Sequence, residues 1–187
     1  MRLYGRLKCE DEAMFAGWAE AGSKRAVIAR IFNLSGPHIN KHGNYALASF
    51  ILDALAGRPI EIRASRRVVR GYIAIRELMS LVFAQLLDGK KGVTRFETGG
   101  KAREIGEVAE TVSALVGPVP VRRPGLTDEA SDHYCGDDVE YCRLLTQYSI
   151  ESVTFSQQVM ETASFLSKAG HLDWHRQQGD ATPISAQ

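Results

Sequence analysis

Tyr4-Gly-Arg-Leu-Lys8, followed at some distance by Arg30-Ile-Phe-Asn-Leu-Ser-Gly-Pro37, is the stretch on which the reading of this chain turns. Tyr4 and Lys8 are four apart, so on a helix they share one face a single turn apart. A phenol and an ammonium so placed can act on the same substrate atom. The ammonium favours the phenolate and draws a group with an ordinary pKa of about 10 toward neutrality, where it gives or takes a proton at a carbinol carbon. The same spacing also occurs on solvated helix faces with no chemistry attached. Around the pair, residues 5–21 read as a helix, with Leu7, Met14, Phe15 and Trp18 as its apolar stripe and Glu10, Asp11, Glu12 and Glu20 on the wet face. Gly22 ends that helix, residues 26–32 read as a buried strand, and Ser35-Gly36-Pro37 breaks it.

Downstream, strands and helices keep alternating. Asn44 is placed to cap a helix over 45–56, which Gly57 stops before Pro59. Residues 60–63 alternate like a half-buried strand, 68–75 read as another, and 77–87 form a helix with Leu78, Leu81, Val82 and Leu86 inward. A short strand over 93–97, a Gly99-Gly100 turn, a helix over 104–116 and an edge strand over 119–121 follow. Two more helices, near 138–146 and 156–167, precede a polar tail. The pattern is that of an α/β chain, with no internal repeat.

Composition narrows the function classes. The 187 residues suffice for one sizeable domain, and 44% hydrophobic with 24% charged residues is ordinary for a globular protein. A net charge of +1 recruits neither nucleic acid nor a membrane surface. No apolar run reaches the length of a membrane span and the N-terminus lacks a signal-peptide core, so cytoplasmic residence is the expectation. Cys9, Cys135 and Cys142 are odd in number without a Cys-x-x-Cys pair, which argues against a disulfide framework or a zinc site. His38 and His42 are four apart, but Gly36-Pro37 and Gly43 mark a loop there, and no metal is expected.

Taken together, Tyr-x-x-x-Lys opening a helix and Arg-x-Phe-Asn-x-x-Gly-Pro after the next strand resemble the middle of the extended short-chain dehydrogenase/reductases, the NAD-dependent sugar epimerase/dehydratase family. The likeness continues to about Leu166. Ala54-Leu-Ala-Gly-Arg-Pro-Ile60 is similar to the family's Gly-Lys-Pro-Ile segment, and Val69-Arg-Gly-Tyr-Ile-Ala-Ile-Arg-Glu-Leu78 to its Arg-Asp-Tyr-Ile-His-Val-x-Asp-Leu strand, with Gly71, Ala74 and Arg76 as departures. Phe96-Glu-Thr-Gly-Gly100 with the helix beyond it, and Asp132-His-Tyr-Cys-Gly-Asp137, complete the series in order.

The resemblance implies the C-terminal part of a Rossmann-like parallel sheet plus a small α/β substrate-binding domain, over residues 1–170. Residues 1–35 and 68–98 would be the Rossmann elements, 36–67 and 99–170 the substrate-binding part, and 171–187 a polar tail. It implies hydride chemistry on a nucleotide-sugar with NAD(P), Tyr4 and Lys8 being both catalytic and cofactor-binding, and Asn33, Arg70 and Tyr134 binding the substrate. The residue types suit these roles. Asn33, past a strand's C-terminal end, lies where open α/β sheets bind ligands, though its amide can equally cap a turn. Arg70 offers a planar fork for phosphate, though it can equally be one solvated arginine among Arg63, Arg66, Arg67 and Arg76. That cluster lacks interleaved aromatics and is not read as a nucleic-acid patch.

Two family features are missing from these 187 residues. There is no Gly-x-x-Gly-x-x-Gly turn to present backbone amides to a dinucleotide, and no Ser or Thr upstream of the tyrosine. The dinucleotide-binding half is therefore expected to be absent, the chain to be a truncated family member, and NAD binding by it alone not to occur. Strand 26–32 would keep an open edge that seeks a partner, either an N-terminal half or a second copy. The alternative is a non-catalytic module that binds a sugar-nucleotide or another protein.

Overall fold

The computed structural model describes residues 3–39, 42–127 and 130–169; the polar tail expected over 171–187 lies outside the described residues. Its first layer forms around β1 (Arg25–Arg30), which pairs in parallel with β6 (Gly92–Glu97), Arg25 opposite Gly92 and Arg30 opposite Glu97. A parallel pair needs a long crossover, and here it runs through about a third of the chain. Helices α1 (Leu3–Ala21) and α3 (Ile75–Leu87) pack on β1, and α5 (Asp138–Gln147) packs on β6. Leu78 and Leu81 of α3, Phe96 of β6, and Tyr141, Leu144 and Leu145 of α5 close one buried cluster. Within it Glu77 is 4% exposed; its carboxylate accepts the Val153 N–H, and burial, opposed by that bond, holds it above the ordinary carboxylate range.

A second cluster joins α2 (Ala46–Leu55), α4 (Ile105–Val116) and α6 (Phe155–Ala169), which pack pairwise. Ile105, Val108, Ala109 and Val112 recur at helical spacing and point inward, and Glu104 caps α4 by accepting from Gly106 N. Short strands fringe this cluster. β3 (Ile60–Glu61) runs parallel to β8 (Val121–Arg122), and β4 (Val68–Arg70) lies between antiparallel β7 (Arg103–Glu104) and parallel β9 (Asp132–Tyr134). The two clusters meet along β2 (Leu34–Ser35) and β5 (Ile73–Ala74), a parallel pair fastened to α6 by buried polar groups. Ser35 Oγ lies 2.8 Å from Gln158 Oε1, Gln158 Nε2 donates to Val153 O at 3.0 Å, and Gly36 N donates to Thr162 Oγ1 at 2.7 Å. Every one of these groups is satisfied, as a polar seam in an apolar interior requires.

Four local expectations are corrected. The expected inward stripe of α1 faces solvent: Leu7 is 47%, Met14 61%, Phe15 54% and Trp18 52% exposed, while Ala16 and Ala19 are buried. Small side chains let the helix lie close on a two-stranded sheet, so the alanines win the inner face. The single strand over 68–75 is two strands, β4 pairing with β7 and β9 and β5 pairing with β2. Asn44 sits in a 3-10 turn (His42–Asn44), and the N-cap of α2 is Tyr45, extended and without a side-chain cap bond. Leu86, read as inward, is 40% exposed near the end of α3.

Candidate functional site

Past the C-terminal end of β1 the chain turns at Ile31 to Asn33 before entering β2. Phe32 N donates to Thr98 Oγ1 (3.1 Å), Asn33 Nδ2 donates to Gly71 O (3.1 Å), and Ile73 N donates to Asn33 O (3.2 Å). Asn33 is thus pinned to the segment that joins β4 to β5. Gly71 can sit there only as glycine, since a Cβ would lie 2.7 Å from Gly100 O. The aspartate of the resembled pattern has no room at this position.

This crossing forms one wall of a cavity of about 730 Å³, lined by Asn33, Arg70 and Tyr72 and, from α2 and the segments around β3 and β8, by Tyr45, Arg58, Arg63 and Arg122. Arg70 is heavily engaged. Its Nη1 donates to Val69 O and Asp132 O and its Nη2 to Asp132 Oδ2, each at 2.9 Å. That bond, against the opposing effect of burial and helped by Arg66 at 3.7 Å, holds the Asp132 carboxyl below the usual range. The Arg70 guanidinium also lies 6.0 Å from the Tyr134 ring, which in turn sits 4.7 Å from Phe32. Tyr72 is pushed up to about 12, by burial first, with Arg70 opposing, so its phenol stays protonated at neutral pH. Arg58 faces Asp53 (2.8 Å) and Arg122 faces Glu61 (3.2 Å).

The structure therefore brings Asn33 and Arg70 onto one cavity and places Tyr134 beside Arg70. It sets Tyr4 and Lys8 elsewhere, on the solvent face of α1 and outside the cavity lining. Tyr4 is 73% exposed, Lys8 Nζ is 5.8 Å from its ring centre, and the same ammonium reaches Asp11 Oδ2 at 3.2 Å. Of the remaining departures, Ala74 is buried at the start of α3 and Arg76 pairs with Glu161 of α6. Asp132, Phe32 and Arg63 were not singled out by sequence reasoning. One signal was present: Asp132 and Tyr134 are two apart on a strand and so share a face.

The Gly99-Gly100 segment does not offer a site for a dinucleotide pyrophosphate. The Gly99-Gly100 turn is filled from behind by the chain itself, with Gly100, at φ +106, backed by the Tyr72 backbone. No open cradle of amides is left there for a ligand. Among the described residues no group of three His, Cys, Asp or Glu side chains can hold a metal ion, and no helix is long and apolar enough to cross a membrane.

A family model for the NAD dependent epimerase/dehydratase family matches residues 1–97, more than half of the chain. The chain belongs to this family. Solved structures agree on the fold of this epimerase/dehydratase chain. The UDP-N-acetylglucosamine 4-epimerase of Methanobrevibacter ruminantium M1, in complex with UDP-N-acetylmuramic acid, matches with a TM-score of 0.70 at 20% identity, over 89% of this chain and 54% of that one. The UDP-glucose 4-epimerase of Thermus thermophilus, in complex with NAD, matches with a TM-score of 0.63 at 18% identity, over 84% and 51%. The dTDP-glucose 4,6-dehydratase of Bacillus anthracis str. Ames, in complex with NAD, gives 0.59 at 17%, over 78% and 46%. The epimerase/dehydratase chain thus spans about half the length of the solved structures it matches, and carries part of a Rossmann-like α/β fold. Comparison with curated protein sequences finds no match.

Proposed function

We propose that these residues form the substrate-gripping portion of a truncated NAD-dependent nucleotide-sugar epimerase/dehydratase-like protein. In this reading the cavity takes the nucleotide-sugar, with Asn33 and Arg70 toward its diphosphate and Tyr134 at the nucleotide end. Tyr4 Oη, outside the cavity lining on the open face of α1 that a dinucleotide-binding half would cover, exchanges a proton with the sugar hydroxyl there, and Lys8 steadies the phenolate. The pyrophosphate of NAD(P) is held by residues outside these 187, on a partner or on further sequence, so the chain alone neither binds the dinucleotide nor turns over. In this reading 1–35 and 68–98 are the Rossmann elements and 36–67 and 99–170 the substrate-binding part, and the cavity takes Asn33 and Arg70 from the first and Arg63 and Arg122 from the second. Cytoplasmic residence suits such a substrate.

The observation that carries the reading is the joint placement of Asn33 and four arginines on one cavity of about 730 Å³, a size suited to a small-molecule ligand. Isothermal titration of the purified chain with UDP-sugars, dTDP-sugars and NAD tests it. Heat of binding with the nucleotide-sugars and none with NAD is the expected result. Nucleotide-sugar titrations without heat would remove the substrate role, and NAD binding of equal strength would remove the claim that the cofactor is held elsewhere.

A second reading, a non-catalytic protein-interaction module, is favoured by the bulky apolar side chains on the solvent face of α1. Its occupant would be a separate dinucleotide-binding half or a second copy of the chain. Activity restored by a co-expressed glycine-rich half would decide for the enzyme.

A further inference from the structure

The cavity's charges differ in how far they are already neutralised, and this bears on which of them receives a diphosphate; the inference rests on the nucleotide-sugar reading above. Arg70 is matched by Asp132, Arg58 by Asp53, and Arg122 by Glu61. Arg63 lines the same cavity, is exposed, and among the described residues its side chain makes no hydrogen bond or ion pair. Its backbone is nevertheless well placed. Ile60 N donates to Pro120 O at 2.9 Å and Ile62 N to Arg122 O at 2.8 Å, and Ile62 is 4% exposed, so the alternation of an extended chain directs residue 63 away from the core. Arg67, a nearby exposed arginine, is not part of the cavity wall.

We propose that Arg63 is the principal phosphate-holding cation of this cavity, and that it makes the site selective for a nucleoside diphosphate over a monophosphate. A guanidinium whose neighbour is a carboxylate gains little from a phosphate, because the incoming anion must compete with one already there. A guanidinium that faces only water keeps its full fork for the ligand. Asn33 and a partly committed Arg70 serve one phosphate, and Arg63 supplies the uncompensated charge for the second.

The test is isothermal titration of the wild-type chain and of R63Q, R63K and R70Q with UDP and with UMP, at low and at physiological ionic strength. R63Q is expected to weaken UDP binding about tenfold or more, to erase the preference for UDP over UMP, and to flatten the salt dependence, with R70Q losing less. R63K should recover part of the loss, since it restores the charge without the fork. Circular dichroism melts check that the variants are folded. R63Q binding UDP as tightly as wild type, or R70Q losing more than R63Q, overturns the inference while leaving the nucleotide-sugar reading intact. Wild type binding neither UDP nor UDP-glucose overturns both.

Discussion

Arg70 reaches the cavity with three N–H groups already committed to the backbone and to Asp132. If it also serves a phosphate, Asp132 is its competitor. D132N keeps an oxygen that can accept from Arg70 and withdraws the rival charge, and the pair is partly solvated. UDP affinity in D132N is therefore expected to rise about two- to fivefold by titration, and a fall would mean that Asp132 serves only to position Arg70. Glu77 makes a different claim. Burial raises its carboxyl pKa above the ordinary 4.5, so the folded chain holds that proton over a window starting near 4.5 where the unfolded chain has lost it. Its contribution is full below that window and is lost as pH rises through the raised value. E77Q retains an acceptor for Val153 N but cannot titrate, so across that window its melting temperature should lose less than that of wild type. Equal profiles would remove the argument. Asn33, Arg70 and Tyr134 came to notice through motifs of the resembled family, and the fold brings the first two onto one cavity with Tyr134 beside Arg70. Asp132 and Arg63 were not legible in the sequence, since the meaning of a charge depends on which opposite charge the fold brings to it.

The segment joining β4 to β5 shows how a backbone contact overrides a strand pattern. Residues 68–75 carry the apolar character of one strand, yet β4 ends where Gly71 meets the Gly100 and Gly99 carbonyls, with Cβ clearances of only 2.7 and 3.2 Å. Both obstacles are main chain and cannot swing aside. G71A is expected to cost about 1–3 kcal/mol by urea denaturation, and an unchanged midpoint would show that the contact has slack. Helix α1 illustrates the opposite limit of sequence reading. The periodicity of Leu7, Met14, Phe15 and Trp18 was plain, but a stripe alone does not say whether it meets the chain's own core or another surface, and here Ala16 and Ala19 occupy the inner face. The wild-type chain is therefore expected to self-associate as concentration rises in sedimentation velocity runs. F15S/W18S should sediment as a monomer with unchanged circular dichroism, because exposed positions contribute little to the fold itself. A wild type that stays monomeric at high concentration would count against α1 as a docking face for a second copy.

Across the whole molecule, two buried clusters meet at the seam where Ser35, Gln158 and Thr162 satisfy one another and the neighbouring backbone. The helices of the second cluster were readable from sequence, and the bounds of α2, α4 and α6 lie within about two residues of the expected ones. The seam was not readable, because Gln158 and Thr162 look like any polar residues on a helix until β2 is laid against them. The first cluster is the thinner, resting on a sheet of two strands among the described residues.

In a pair so narrow, successive residues of β1 alternate in direction, one set of peptide N–H groups turned toward β6 and the other toward the open flank. Deuterium uptake along residues 25–30 should consequently show an odd-even rhythm, slow and fast by turns, in the free chain. Any macromolecule that adds a strand at that flank would silence the fast set alone. The rhythm thus offers a ligand-independent gauge for any polypeptide that adds a strand there.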